Sequence, residues 1–345
     1  MMNQNKYINK QIRKISTSTT LPVLVFILAI YAVSFALSFL SGTAPQGSIL
    51  RDSGFINLLL YVLMYLICIP LIAFIYQKSK GNRVGIKLSA LYRKPQKSAF
   101  WCFKWIIISI GFTYIASFVS NMIFAMIEML TGTSLNEASF EFGDSAFGLI
   151  VTLIAPIIFA PIFEELLFRG VVLKNSEPMG QLFAIIMSGI IFGLWHENYP
   201  QFLFATVLGC FSAFMVMKTR SVIPSMIAHF LINSIGTGIQ LILKACNINI
   251  DDLANMSDAD FLSRDNLPLL GMMALVELAV FGLAITAIVL FIIEMSKHKK
   301  NNALKKSVFN INTSRTIAVF MSSPVTLTTF ALMILFTILN AISKG

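Results

Sequence analysis

The sequence predicts an all-α protein, a polytopic bundle of about nine membrane-spanning helices, and three observations carry that prediction. Of the 345 residues, 57% are hydrophobic and 12% charged, with a mean hydropathy of +0.79, a balance too apolar for the surface of a soluble chain of this length. Apolar runs of about 18 residues or more, each long enough to cross a ~30 Å hydrocarbon core as a helix, recur from end to end. The basic residues sit mainly between those runs, where charge orients a helix in a bilayer.

In chain order the runs lie at 21–41, 55–77, 103–127, 147–170, 181–197, 200–218, 222–243, 268–293 and 317–340; eight spans is the alternative count. The first follows Lys6, Lys10, Arg13 and Lys14. It is longer than a secretory signal and lacks a small-residue cleavage site, so it reads as a retained helix preceded by a cytoplasmic segment, 1–20. Lys80, Arg83, Lys87, Arg93 and Lys94 mark the loop after the second run as cytoplasmic, as do Lys218 and Arg220 after the sixth and the stretch Lys297–Lys306 after the eighth. Glu137, Glu141 and Asp144, and later Asp251, Asp252, Asp258, Asp260 and Asp265, occupy the loops left for the outside. Nine helices with a cytoplasmic N-terminus satisfy all of these placements.

No linker or internal repeat divides the chain, so 1–345 reads as one membrane domain, with 131–146 and 244–267 long enough for external helices or lids. The net charge of +10 is explained by membrane orientation and does not call for nucleic acid. Cys68, Cys102, Cys210 and Cys246 lack the spacing of a zinc motif or a disulfide framework. Trp101, Trp105 and Tyr92 read as interfacial anchors, and Gly189 with Gly193 as a site of close helix packing.

Ionisable groups inside spans cost ~2.5–3.5 kcal/mol each on insertion scales, so each one calls for a partner or a task. Glu164 and Glu165 lie in the fourth run. Adjacent helical positions point about 100° apart, so the two carboxylates cannot share a job. Glu165 and Arg169, four apart, share a face and suit a buried ion pair, which leaves Glu164 free to face a cavity. Phe192 lies one turn below His196, and His229 and Asn233 again share a face. At ~1.5 Å per residue, His229 lies about 14 Å from the end marked by Arg220, Glu164 about 15 Å from Lys174, and His196 about 20 Å from Gln181. The four can meet in a polar pocket opening toward the cytoplasm. Glu277, in the middle of the eighth run, reads as a hydrogen-bonded structural carboxyl or as a relay member.

A buried carboxylate is a plausible general base near neutral pH, with His196 sharing the water and His229 and Asn233 donating to an oxyanion. Spacing alone leaves two readings open, this hydrolase site or polar groups pairing across helices to hold the bundle. At Glu164-Glu165 with Arg169, Phe192 with His196, and His229 with Asn233, the sequence resembles the CAAX protease and bacteriocin-processing (CPBP) family, also called the Abi or type II CAAX prenyl endopeptidase-like family. The turn Lys218–Pro224 resembles the basic turn that precedes that family's last motif, and the likeness covers about 147–243.

The resemblance implies an intramembrane endopeptidase of a cell membrane, acting near the cytoplasmic side on a membrane-associated protein or peptide such as a prenylated C-terminus, a leader peptide or a pheromone precursor. It implies Glu164 and His196 as water-activating residues, His229 and Asn233 as the oxyanion site, and Glu165, Arg169 and Phe192 as support. No cofactor is favoured. Zinc on Glu164, His196 and His229 stays open, although no HExxH pair is present. The rivals are a non-catalytic membrane protein that binds peptides, assists export or confers immunity, and a proton-coupled transporter. Composition points weakly to a prokaryotic plasma membrane.

Overall fold

The computed structural model describes residues 2–79, 87–132, 146–245, 267–309 and 311–342, and among these there is no strand. The two long loops expected to form lids lie largely outside the described residues. Eight described helices are long and apolar enough to cross a bilayer, from Gln4–Thr43 to Pro324–Ile342, which makes this a multi-pass membrane protein. In order, α1 is Met2–Thr43, α2 Ser53–Tyr61, α3 Ile69–Lys78, α4 Ala99–Thr131, α5 Ala146–Ile154, α6 Ala160–Glu165 and α7 Lys174–Ser176. Then come α8 Gln181–Trp195, α9 Tyr199–Thr219, α10 Ile223–Ala245, α11 Leu267–Lys297, α12 Lys299–Asn302, α13 Thr313–Met321 and α14 Pro324–Ile342. Wider π-helical turns at Val62–Cys68, Ala155–Phe159 and Leu166–Leu173 join α2 to α3 and α5 through α7 into two continuous spans.

Two sequence expectations change. The run 181–197 is the 15-residue α8, only about 22 Å long, and it is the member of the expected nine that does not qualify as a full span. The run 317–340 is broken at Ser322 and Ser323, and α14 starts with Pro324. A proline lacks an N–H but fits the first helical position, so hydropathy averages across a break that the backbone makes. Residues 2–20 form the first half of α1, with Ile12, Ser16, Thr19 and Thr20 buried.

The basic loops gather at one end. Gln96 donates its backbone N–H to Thr219 O at 2.8 Å, Val222 to Leu91 O at 2.9 Å, Gln181 to Lys305 O at 3.0 Å and Val308 to Pro178 O at 3.0 Å. At the opposite end Asn340 Nδ2 donates to Glu197 O at 2.9 Å and Ser120 Oγ to Pro200 O at 3.2 Å. That grouping of loops is the one the charge pattern predicts.

Packing between α8 and α9 is tight because both helices carry glycine where they meet. A Cβ on Gly193 would stand 2.1 Å from Thr206 Oγ1, and one on Gly189 2.4 Å from Cys210 Sγ, so any side chain there forces the hairpin apart. Trp101 and Trp105 are not interfacial anchors. Both are buried, and Trp105 packs on Phe214 with centroids 4.3 Å apart, filling the space where α4 meets α9. Lys104 and Glu294 pair across α4 and α11, with Asn302 Nδ2 donating to Glu294 O at 3.1 Å.

Where α1 meets α13 and α14, short hydroxyl side chains form a seam. Ser16 donates to Phe320 O and bonds Thr326, Thr17 bonds Ser323 at 2.8 Å, Thr20 bonds Thr326 at 3.0 Å, and Asn175 Nδ2 donates to Thr19 Oγ1 at 3.0 Å. In lipid such contacts hold helices that hydrophobicity alone would not discriminate.

Candidate active site

The span built from α5, α6 and α7 owes its shape to two prolines. Ala160 donates its N–H to Ala155 O, five residues back, and Pro161 has no N–H to give. Neither can therefore serve the carbonyl of Pro156. Asn233 on α10 does so instead, donating Nδ2 to Pro156 O at 2.8 Å. An amide nitrogen carries two protons, so one remains for a ligand. Single π turns of this kind recur at functional sites, and here two flank the Glu164-Glu165 pair.

Glu165 and Arg169 are both 0% exposed and make a two-pronged pair, with Nε to Oε2 at 3.1 Å and Nη2 to Oε1 at 3.2 Å. Arg169 Nη1 donates to Ser188 Oγ at 2.8 Å, and the guanidinium lies 4.9 Å from the centroid of Phe192. A buried ion pair is tolerable when its remaining donors and acceptors are used in this way. Phe192, fully buried, stands edge-on to both histidines, 5.1 Å from His196 and 5.6 Å from His229. One aromatic ring thereby sets the orientation of two imidazoles.

Glu164 is treated differently. Its Oε1 accepts from Tyr65 Oη at 2.9 Å, while its Oε2 is buried with no hydrogen-bond partner. His229 sits between the two carboxylates, Nε2 3.9 Å from Glu164 Oε2 and Nδ1 3.6 Å from Glu165 Oε1. Both separations exceed hydrogen-bond length. A buried carboxylate oxygen left open beside a loosely held imidazole is costly for stability alone, and such orphans mark places where a ligand or water belongs.

Glu164, His196, His229, Asn233 and Phe192 line one cavity of about 460 Å³, in the size range of small-ligand sites. From His229 its wall runs along α10 through Asn233 and Thr237 to Gln240, and it includes Gln201 near the start of α9 and Tyr61 on α2. That direction leads away from the basic loops. Toward the basic end the span that carries Glu164 is closely covered. Leu88 and Leu91, in the turn after α3, approach Gly170, and Leu167, Phe168, Val171 and Val172 are completely buried beneath that end. Depth counted from one end of a helix says nothing about which end is plugged.

Tyr65 and Pro156 escape a reading of spacing. Tyr65 is a hydroxyl within an apolar run, a weak signal, and Pro156 registers only as a kink. Glu277 is exposed on α11 and makes no pair with Arg169, whose nitrogens go to Glu165 and Ser188. Among the described residues no group of three or more His, Cys, Asp and Glu side chains is arranged to hold a metal ion; Glu164, His196 and His229, the would-be ligands, do not form one.

Residues 146–235 match the family model described as type II CAAX prenyl endopeptidase Rce1-like. Over 90 residues the chain is 30% identical to the Bacillus subtilis (strain 168) protein named "Putative membrane peptidase YdiL", a stretch that covers 26% of this chain and 37% of that protein. The chain thus spans little more than a third of the length of that relative. No solved structure matches the chain. The matched segment, about a quarter of the chain, contains Glu164, Glu165, Arg169, Phe192, His196, His229 and Asn233, and over it the chain is similar to the Rce1-like, type II CAAX prenyl endopeptidase family.

Proposed function

We propose that the protein is a glutamate-type intramembrane endopeptidase that hydrolyses a peptide bond in a membrane-associated protein or peptide. The observation that carries the reading is the asymmetry of the two glutamates: Glu165 is saturated by Arg169, while Glu164 keeps Oε2 open beside the cavity shared by His196, His229 and Asn233. In the reaction Glu164 takes a proton from water as the water oxygen attacks the scissile carbonyl carbon. His229 and the spare proton of Asn233 stabilise the oxyanion. As the C–N bond breaks, the proton moves from Glu164 to His196 and from His196 to the leaving nitrogen. Water's hydroxyl ends on the acyl carbon, its proton on the amine, and the enzyme is regenerated.

The match of residues 146–235 to the Rce1-like family model, and the similarity to the protein named "Putative membrane peptidase YdiL", support proteolysis. A prenylated C-terminus, a leader peptide and a pheromone precursor are the substrate classes in view, and the basic end of the bundle faces the cytoplasm of a prokaryotic plasma membrane in this proposal. Purified protein in liposomes is expected to cut members of a fluorogenic peptide library. Glu164→Gln and His196→Ala should each lower the rate by about 10²–10⁴-fold, and 1,10-phenanthroline should leave it unchanged. Wild-type activity surviving in Glu164→Gln would sink the proposal and favour a non-catalytic peptide-binding role.

A further inference from the structure

A second cavity of about 350 Å³ lies against the first, and Tyr65, Glu164 and His196 line both. Its other walls come from outside the motif set. Tyr31 and Ser34 belong to α1, Leu60 and Met64 to the span that starts with α2, and Glu197 to the turn after α8. Glu197 adopts a left-handed backbone conformation, φ 49°, which a non-glycine residue rarely takes without a reason. Its carbonyl is held by Asn340, and its carboxylate accepts a hydrogen bond from Tyr31 Oη. The turn is thus fixed at both ends of the residue, with the acidic group aimed at α1.

His229 and Asn233, the two oxyanion donors, line the larger cavity and are absent from the lining of the smaller one. On the proteolytic reading above, on which this inference rests, the scissile carbonyl must therefore lie in the larger cavity. A peptide there fills the space from which water would otherwise reach Glu164. Glu164 and His196, however, form the wall between the two spaces. We infer that the hydrolytic water arrives from the smaller cavity, past α1, and attacks the face of the carbonyl turned toward Glu164 and His196. The smaller space suits water: Tyr31, Ser34, Tyr65, Glu164, His196 and Glu197 put six polar side chains around it, and a bound water needs only two to four polar partners. The larger cavity, by contrast, takes an extended peptide segment with no charged residue near the scissile bond, because outside Glu164 and the histidines no ionisable acidic or basic side chain lines it.

The two spaces can be blocked separately. Ser34→Cys and Ser117→Cys each place a thiol in one cavity, Ser117 lining only the larger. Each variant in liposomes is assayed before and after treatment with a bulky methanethiosulfonate, using the peptide cut fastest in the library, and treated wild type gives the background from the native cysteines. Modification at position 34 should lower kcat about tenfold or more with KM nearly unchanged, whereas modification at 117 should raise KM by a similar factor. Ser34→Phe should reproduce the first result without thiol chemistry. Peptide affinity measured on Glu164→Gln should be untouched by Ser34→Phe and weakened by modification at 117. The inference is overturned if blocking position 34 raises KM, which would make the smaller space a peptide subsite, or if both constants stay unchanged. Loss of the underlying reading looks different: Glu164→Gln would remain active, or wild type would cut nothing, whatever the two serines do.

Discussion

Two regions of this bundle bury polar groups in apolar surroundings, and they do it in opposite ways. The seam between α1, α13 and α14 uses neutral hydroxyls, and Ser16, Thr17, Thr19, Thr20 and Thr326 each find a partner. The cluster around Glu164 uses ionisable groups and leaves Glu164 Oε2 and His229 Nδ1 without a hydrogen bond. Leaving a buried polar atom unpaired costs about 1–3 kcal/mol, more for a charged one. The seam carries such an atom too, Asn175 Oδ1, but there it belongs to a neutral amide, whereas in the Glu164 cluster it belongs to ionisable groups. A carboxylate is the costlier group to leave open, which marks the second region as the candidate site.

Breaking the supported half of the cluster tests the contrast most severely. Arg169→Met leaves Glu165 buried and unpaired and is expected to destabilise the protein by about 3–5 kcal/mol, seen as loss of folded protein on thermal ramping in detergent. Glu165→Met combined with Arg169→Met should recover most of that loss without restoring activity. Asn233→Ala should slow cleavage by about 10²–10³-fold and should also lower the melting temperature, because Pro156 O loses its donor. A change in rate with no change in melting would mean that the Asn233 contact to the helix carries no weight.

Tyr65→Phe removes one hydrogen bond to Glu164 and is expected to lower kcat about tenfold with KM little altered, in line with the ~1–1.5 kcal/mol of such a bond. At the seam, Thr326→Val should cost about 1 kcal/mol of stability and leave kcat and KM where they were. Activity lost there out of proportion to stability would erase the distinction between the two regions.

Much of this was legible in residue spacing. Glu165 and Arg169 at i and i+4 meet as a pair, and Phe192 one turn from His196 becomes its wall, since both facts follow from helical repeat alone. The apolar runs give the spans because a bilayer tolerates nothing else. What spacing could not deliver involves departures from the regular repeat or contacts between distant segments. The π turns at Ala155–Phe159 and Leu166–Leu173 rotate side chains away from positions counted at 3.6 residues per turn. Tyr65 stands 99 positions from Glu164, and no local pattern joins them. Trp105 misled because an aromatic near the end of an apolar run fits an interface as well as a core.

The bond from Asn233 to Pro156 ties assembly to competence. The carbonyl it satisfies belongs to the span that carries Glu164, and in the proposed reaction the residue that satisfies it also supplies a donor. Until α10 docks, that span holds an unmet acceptor and the oxyanion has lost its amide. On the proposed function, an incompletely assembled chain is therefore inert toward its neighbours in the membrane, a safeguard against acting before it is built.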